Sequence, residues 1–181
     1  MDGVRKMSVG GVLAVLCGVL FAAHVSAAGE HPDFSGVWEL DLDAPGSTSM
    51  DALLATQGMS WLERKAADTI EVVQTITQTE HALTIHVEGG GQSKTEVLDL
   101  DGKVQVRNTD KAGRVETRSY WSEDGKSIVT VSKYRTPEGK PAVWTTRRSL
   151  AGGGKVIVVD HEVKVEGGGT FQAKRFLRKK S

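Results

Sequence analysis

Cysteine is nearly absent from this 181-residue chain. The single one, Cys17, follows Leu16, where a lipoprotein peptidase would need a small residue, so lipidation is not expected. Cys17 also lies in a stretch expected to be removed. The remaining chain then holds no thiol, which excludes a disulfide, a thiolate metal site and thiol catalysis. Charge of one sign is lacking too. Lys and Arg total 23 against 23 Asp and Glu, and no basic block appears before Arg178-Lys179-Lys180. A phosphate backbone needs a concentrated positive surface, so a nucleic acid is not an expected partner. No apolar run is long enough to span a bilayer. The uncharged stretch from Met7 through Ala23 falls short of the ~20 apolar residues a spanning helix needs.

That stretch has a different reading. Arg5 and Lys6 precede it, and the small-x-small pattern Val25-Ser26-Ala27 follows it. A charged start, an apolar core and a small-residue site describe a secretory signal peptide. The expectation is a signal peptide over 1–27, a short leader over 28–33, and one domain over 34–181. The alternative is an uncleaved anchor. Export to the periplasm or the exterior follows from the first reading, without a stable membrane anchor. The ~150 residues that remain can bury a core of their own.

From Phe34 onward, short segments rich in Val, Thr and Ile alternate apolar with polar residues and are separated by glycine turns, the pattern of an all-β sandwich or barrel. The segments are 36–41, 69–79, 82–88, 94–101, 103–108, 114–121, 127–134, 142–150, 155–165 and 170–178. The links are short, among them Asp101-Gly102, Glu123-Asp124-Gly125 and Gly167 to Gly169. Such turns join antiparallel neighbours, so the expected architecture is a ten-stranded up-and-down β-barrel whose closure removes both sheet edges. Only 47–68 breaks the alternation. Met50, Leu53 and Leu54, and then Met59, Trp61, Leu62 and Ala66, fall at helical spacings on either side of Gly58. Ser60-x-x-Glu63 is a capping box, Thr48-x-x-Asp51 can serve the first helix similarly, and Gly58 suits the left-handed position that ends it. A helix-turn-helix is predicted between the first two strands.

Gly36-x-Trp38, followed by Met50-Asp51, Leu53-Leu54 and the run Gly58-Met59-Ser60-Trp61-Leu62-Glu63-Arg64-Lys65, and further on Thr84-Ile85 and Lys94-Thr95-Glu96, resembles the fatty-acid-binding proteins. The resemblance covers Phe34 to about Lys179. It implies a helix-turn-helix lid over a barrel that carries a fatty acid or similar apolar ligand. The family places an arginine and, two residues on, a tyrosine near its C-terminus to hold a ligand carboxylate. Here Arg175 takes the first place and Leu177 the second. Arg148 resembles the family's other anion-binding arginine. This chain departs from the family in its export signal and in Asp43 to Ser47, which lengthens the approach to the first helix.

Residues two apart on a strand share a face. Phe171, Ala173, Arg175 and Leu177 form the less charged set of the last strand and are assigned to the interior. There Arg175 either attracts an anionic head group or stacks on Trp38 to close the barrel end. Alternation puts Arg148 inside with Trp144, Thr146 and Leu150, and Arg147 outside, although a bulge would exchange the two arginines. Met50, Leu54, Met59 and Trp61 either line the inner surface of the lid or form its packing face. The candidate ligand-binding residues are therefore Arg148, Arg175, Leu177, Trp61, Met59, Leu54 and Met50.

No cofactor or metal is expected. His31 falls in a mobile leader, His81 in a turn, and His86 and His161 on separated strands without metal spacing. In Asp160-His161-Glu162 the imidazole points away from both carboxylates, and no other acid–base pair or nucleophile converges. The reading is a monomeric, non-enzymatic carrier of a small hydrophobic ligand. The alternatives are a filled barrel that docks a protein partner, and a small hydrolase or isomerase on the same scaffold.

Overall fold

A computed structural model describes residues 31–180. The stretch expected to be a signal peptide, Cys17 within it, and the leader up to residue 30 lie outside the described residues. The elements run β1 (Gly36–Asp41), α1 (Asp51–Ala55), α2 (Trp61–Ala66), β2 (Val72–Gln78), β3 (Ala82–Gly89) and β4 (Gln92–Asp99). There follow β5 (Gln105–Thr109), β6 (Gly113–Trp121), β7 (Ser127–Arg135), β8 (Pro141–Ala151), β9 (Val156–Val165) and β10 (Thr170–Lys179). All ten strands form one antiparallel sheet in the order β4-β3-β2-β1-β10-β9-β8-β7-β6-β5. The first strand pairs with the last, Leu40 opposite Leu177, and the sheet curls into a barrel.

The expected closure is incomplete. Asp101-Gly102 does not turn between paired strands, because β4 and β5 are the two ends of the sheet. The connection instead crosses to β6, where Gly102 N–H donates to the Ser119 carbonyl at 3.0 Å and Asp101 bridges to Tyr120. The backbone donors that a hairpin needs are spent on this crossing, which separates the two edges. Side chains span the seam: Arg107 pairs with Glu96 at 2.9 Å, and Gln105 donates to Asp99.

The end of the barrel away from the helices is packed solid. Phe34, Trp38, Leu83 and Ile157 are fully buried there, with Leu177 almost so. Trp38 Nε1 donates to the Phe34 carbonyl at 2.9 Å, which satisfies the one polar atom of a buried indole. Residues 31–34 cap this end, contrary to the expectation of a mobile leader. His31 stacks on Trp121 with ring centroids 4.1 Å apart and bonds the Gly125 carbonyl at 3.0 Å. Gln78 holds both Phe34 N–H and the Pro32 carbonyl, each at 3.0 Å. The segment has no periodicity because it covers an end instead of running along a face. Arg175 does not stack on Trp38. The register sets Lys179 opposite Trp38, and its ammonium lies 5.2 Å from the ring.

The helix-turn-helix covers the other end. Ser60 and Glu63 form the capping box of α2, and Gly58 adopts φ 78° in the turn. α1 lacks the predicted Thr48 cap. Its N-cap is Met50, and Thr48 Oγ1 instead accepts from Lys174 N–H at 2.7 Å, tying the approach segment to β10. Leu53 is the anchor of the lid, almost fully buried against Tyr134, Ala142, Val163 and Ala173. Asp68, just after α2, accepts from Ser49, from Met50 N–H and from Arg175. Among the described residues no helix is long and apolar enough to cross a membrane.

Candidate ligand site inside the barrel

The register of β6–β10 arranges the interior in rows across the strands. Directly opposed residues of antiparallel neighbours point to the same face. One row holds Arg148 and Arg175 on either side of Val159. The next row toward the lid runs Ser119, Thr130, Thr146, His161 and Ala173. A further row contains Thr117, Ser132 and Trp144. Below the arginines, Leu150, Ile157 and Leu177 belong to the packed floor. In the two polar rows, Thr130, Ser132, Trp144, Thr146 and His161 point inward yet remain half-buried. Side chains therefore do not fill the barrel at this level.

Arg148 is 9% exposed, and its Nε has no hydrogen-bond partner among the described residues. Among the described residues no carboxylate pairs with it. Glu96 is the carboxylate that acts on it, but Glu96 is already engaged by Arg107. Burial pushes the Arg148 guanidinium below its usual value, and Glu96 only partly opposes this. A buried cation without an anion is costly, and this one borders the unfilled level. Arg147, one residue away, is exposed on the outer face, so β8 carries no bulge there.

Arg175 is equally buried at 7% but is compensated by Asp68. Burial raises the Asp68 carboxyl, but the Ser49 hydroxyl, Met50 N–H and Arg175 outweigh it and hold the group below the usual carboxylate range. Arg175 thus ties the lid to β10.

His161 is the interior residue that sequence reasoning assigned no role. Trp144 Nε1 donates to its Nδ1 at 3.2 Å, and Thr146 Oγ1 lies 3.1 Å from the same nitrogen. An indole N–H only donates, so Nδ1 accepts and the ring proton sits on Nε2. Burial, with the cations Arg148 and Arg175 adding to it, lowers its pKa to about 3. The ring is a neutral donor facing the interior. Asp160 and Glu162 point outward and pair with Lys174 at 3.1 Å and Lys164 at 2.8 Å, leaving no carboxylate to pair with the imidazole. Strand alternation shows which way His161 points. The hydrogen bonds that set its tautomer come from β8 and have no local signal.

The lid residues divide. Trp61 is 64% exposed, and no residue of α2 is buried, so the indole is not held over the barrel. Met50 packs beside Leu53 at the rim, and Leu54 is half-buried on α1. Met59 lines a 530 Å³ opening between α2 and the β3–β4 turn, together with Ile70, Val72 and Val87. A second opening of 450 Å³ lies between α1 and the turns that include Thr136 and Gly168. A groove of 830 Å³ lies along β8–β10 among paired charges such as Asp160 and Lys174; His161 and Ala173 also border it, and Arg148 does not. Among the described residues no group of three His, Cys, Asp or Glu is placed to hold a metal.

No family model matches the chain, and no curated protein matches it in sequence. Solved structures do match it. A fatty acid binding protein of Schistosoma mansoni in complex with arachidonic acid superposes with TM-score 0.60 at 19% identity, over 84% of this chain and 100% of its own. The REP1-NXSQ fatty acid transporter gives 0.60 at 14% identity over 81% and 96%, and human cRBP IV gives 0.58 at 16% over 82% and 99%. With ten antiparallel strands and two short helices between the first and second, the chain has the fold of the fatty-acid-binding proteins and related lipid-binding proteins.

Proposed function

We propose that this protein is a non-catalytic, extracytoplasmic carrier of a fatty acid or similar amphiphile, held in the barrel with its carboxylate on Arg148. The observation that carries the reading is the unpaired guanidinium of Arg148 beside the unfilled interior. A carboxylate there supplies the missing counter-charge and bidentate hydrogen bonds to a guanidinium that burial shields from bulk solvent. The apolar side chains of Met59, Ile70, Val72 and Val87 at the opening beside α2 suit the hydrocarbon chain. The fold likeness to lipid-binding proteins supports the same reading, and the export pattern at the start of the chain supports the compartment. Arg175, engaged by Asp68, has a lesser share in holding the acid.

The test is titration of a long-chain fatty acid and the matching uncharged alcohol into the parent, Arg148→Ala and Lys174→Ala. A charged contact is worth ~1.5–3 kcal/mol net, so Arg148→Ala should weaken acid binding about ten- to a hundredfold. The alcohol should change little, and the outer-face variant should bind like the parent. Equal acid affinity in all three proteins would overturn the anchor.

A further inference from the structure

The wall that faces the space above Arg148 is unusually polar for one that would hold only a hydrocarbon chain. Ser119 Oγ and Thr130 Oγ1 lie 3.0 Å apart, and Thr117 Oγ1 and Ser132 Oγ also lie 3.0 Å apart. Thr146 continues the first row to His161. In each hydroxyl pair one proton is used between the partners, so one hydroxyl keeps its own proton and both keep lone pairs. His161 adds an Nε2–H with no partner among the described residues. The row therefore holds spare donors and spare acceptors at one height. Methylene groups laid against it would leave those valences unpaired or keep water between. On the opposite wall Ile76, Ile85 and Val87 are apolar, and the one amide beside them, Gln74, which pairs with Val87, has a buried Oε1 without a partner among the described residues.

We infer that the barrel is built for an acid that carries a second oxygen, a hydroxyl or keto group, and that Thr146 and His161 with the Ser119–Thr130 pair recognise that oxygen. This rests on the reading that Arg148 holds the carboxylate. The geometry also sets where the oxygen lies. Thr146 is two residues from Arg148 along β8, on the lid side, which is a rise of about 7 Å. The ligand lies head down toward the packed floor, with its second oxygen in the head-proximal half of the chain and its unsubstituted tail toward the lid. An oxygen near the methyl end would meet Leu53, Val163 and Phe171 instead. The neutral imidazole suits this task. A charged one would compete with Arg148 for the carboxylate, and burial between two arginines keeps it neutral at physiological pH.

The test is competition binding with octadecanoic acid and three hydroxy-octadecanoic isomers, substituted in the head-proximal half, at mid-chain and next to the methyl end. In the parent, the head-proximal isomer should bind about three- to tenfold tighter than the plain acid, the gain of one neutral hydrogen bond. The isomer substituted at the methyl end should bind no tighter than the plain acid. His161→Phe should bring the hydroxylated-to-plain ratio to about one. Thr146→Val should lower it as well, which covers the case in which His161→Phe does not fold. Lys174→Ala, outside the barrel, should keep the parental ratio. If the plain acid binds through Arg148 and no isomer gains, or all gain alike, the oxygen-reading row is wrong and the carrier reading stands. If no acid binds, both fall.

Discussion

Arg148→Met should stabilise the ligand-free protein while abolishing its preference for an acid. The guanidinium is 9% exposed, and its Nε has no partner among the described residues. An unsatisfied buried donor costs about 1–3 kcal/mol, more when it is charged. The opposing attraction is small, because Glu96 is shared with Arg107 at 2.9 Å. Methionine keeps the apolar stem out to the position of Nε and lacks the terminal guanidinium atoms, which border the unfilled level, so the packing lost costs less than the donor's desolvation. The net expectation is a gain of about 0.5–2 kcal/mol. For a domain of this size that raises Tm by about 2–4 °C per kcal/mol. Thermal unfolding at neutral pH, with and without saturating fatty acid, makes the check. Without acid the variant should melt above the parent. With acid the parent should rise by an amount set by RT ln(1 + [L]/Kd) and the variant should barely move. A variant less stable than the parent without acid would refute the reasoning, because Arg148 would then be held by contacts of its own and not be awaiting a ligand.

His161 makes stability pH-dependent. Its pKa is about 3 in the folded protein against an ordinary 6.5, so between those values the unfolded chain binds more protons. Stability from this residue is intact above pH 6.5 and falls as the pH drops, by at most about 1.4 kcal/mol per unit. Urea unfolding from pH 7 to 4 should show this loss in the parent and a shallower one in His161→Gln, and parallel curves would mean the imidazole titrates normally. On the lid, Leu53→Ala should cost about 2–5 kcal/mol and Trp61→Ser less than about 0.5, both read by urea unfolding. Trp61→Ser should also bind acid as the parent does, since the indole is 64% exposed. Loss of binding would put Trp61 in the ligand's path.

What the sequence by itself determined was local. Alternation along each strand decided which residues face inward, and so put Arg148 inside and Arg147 outside. The capping box at Ser60 and the left-handed glycine at Gly58 are likewise set by neighbours in sequence, and the helix-turn-helix follows from them. The tertiary structure decided what those residues meet. Thr48 looked like a cap until β10 supplied Lys174 N–H as a donor. Asp101-Gly102 looked like a hairpin turn until β6 took its backbone bonds. Trp61 has the right helical spacing for an inner face, but spacing fixes a side chain's angle about its own helix and not the way that helix is turned against the sheet. Arg175 and Arg148 look alike in sequence. One is paired by Asp68 and the other by no carboxylate among the described residues, a difference that exists only once a lid residue and a β10 residue are brought together. The row from Ser119 to His161 is the clearest case. It draws one residue from each of β6, β7, β8 and β9, and only their mutual register sets those side chains side by side, because hydrogen bonding between strands fixes contacts that no period within a strand encodes.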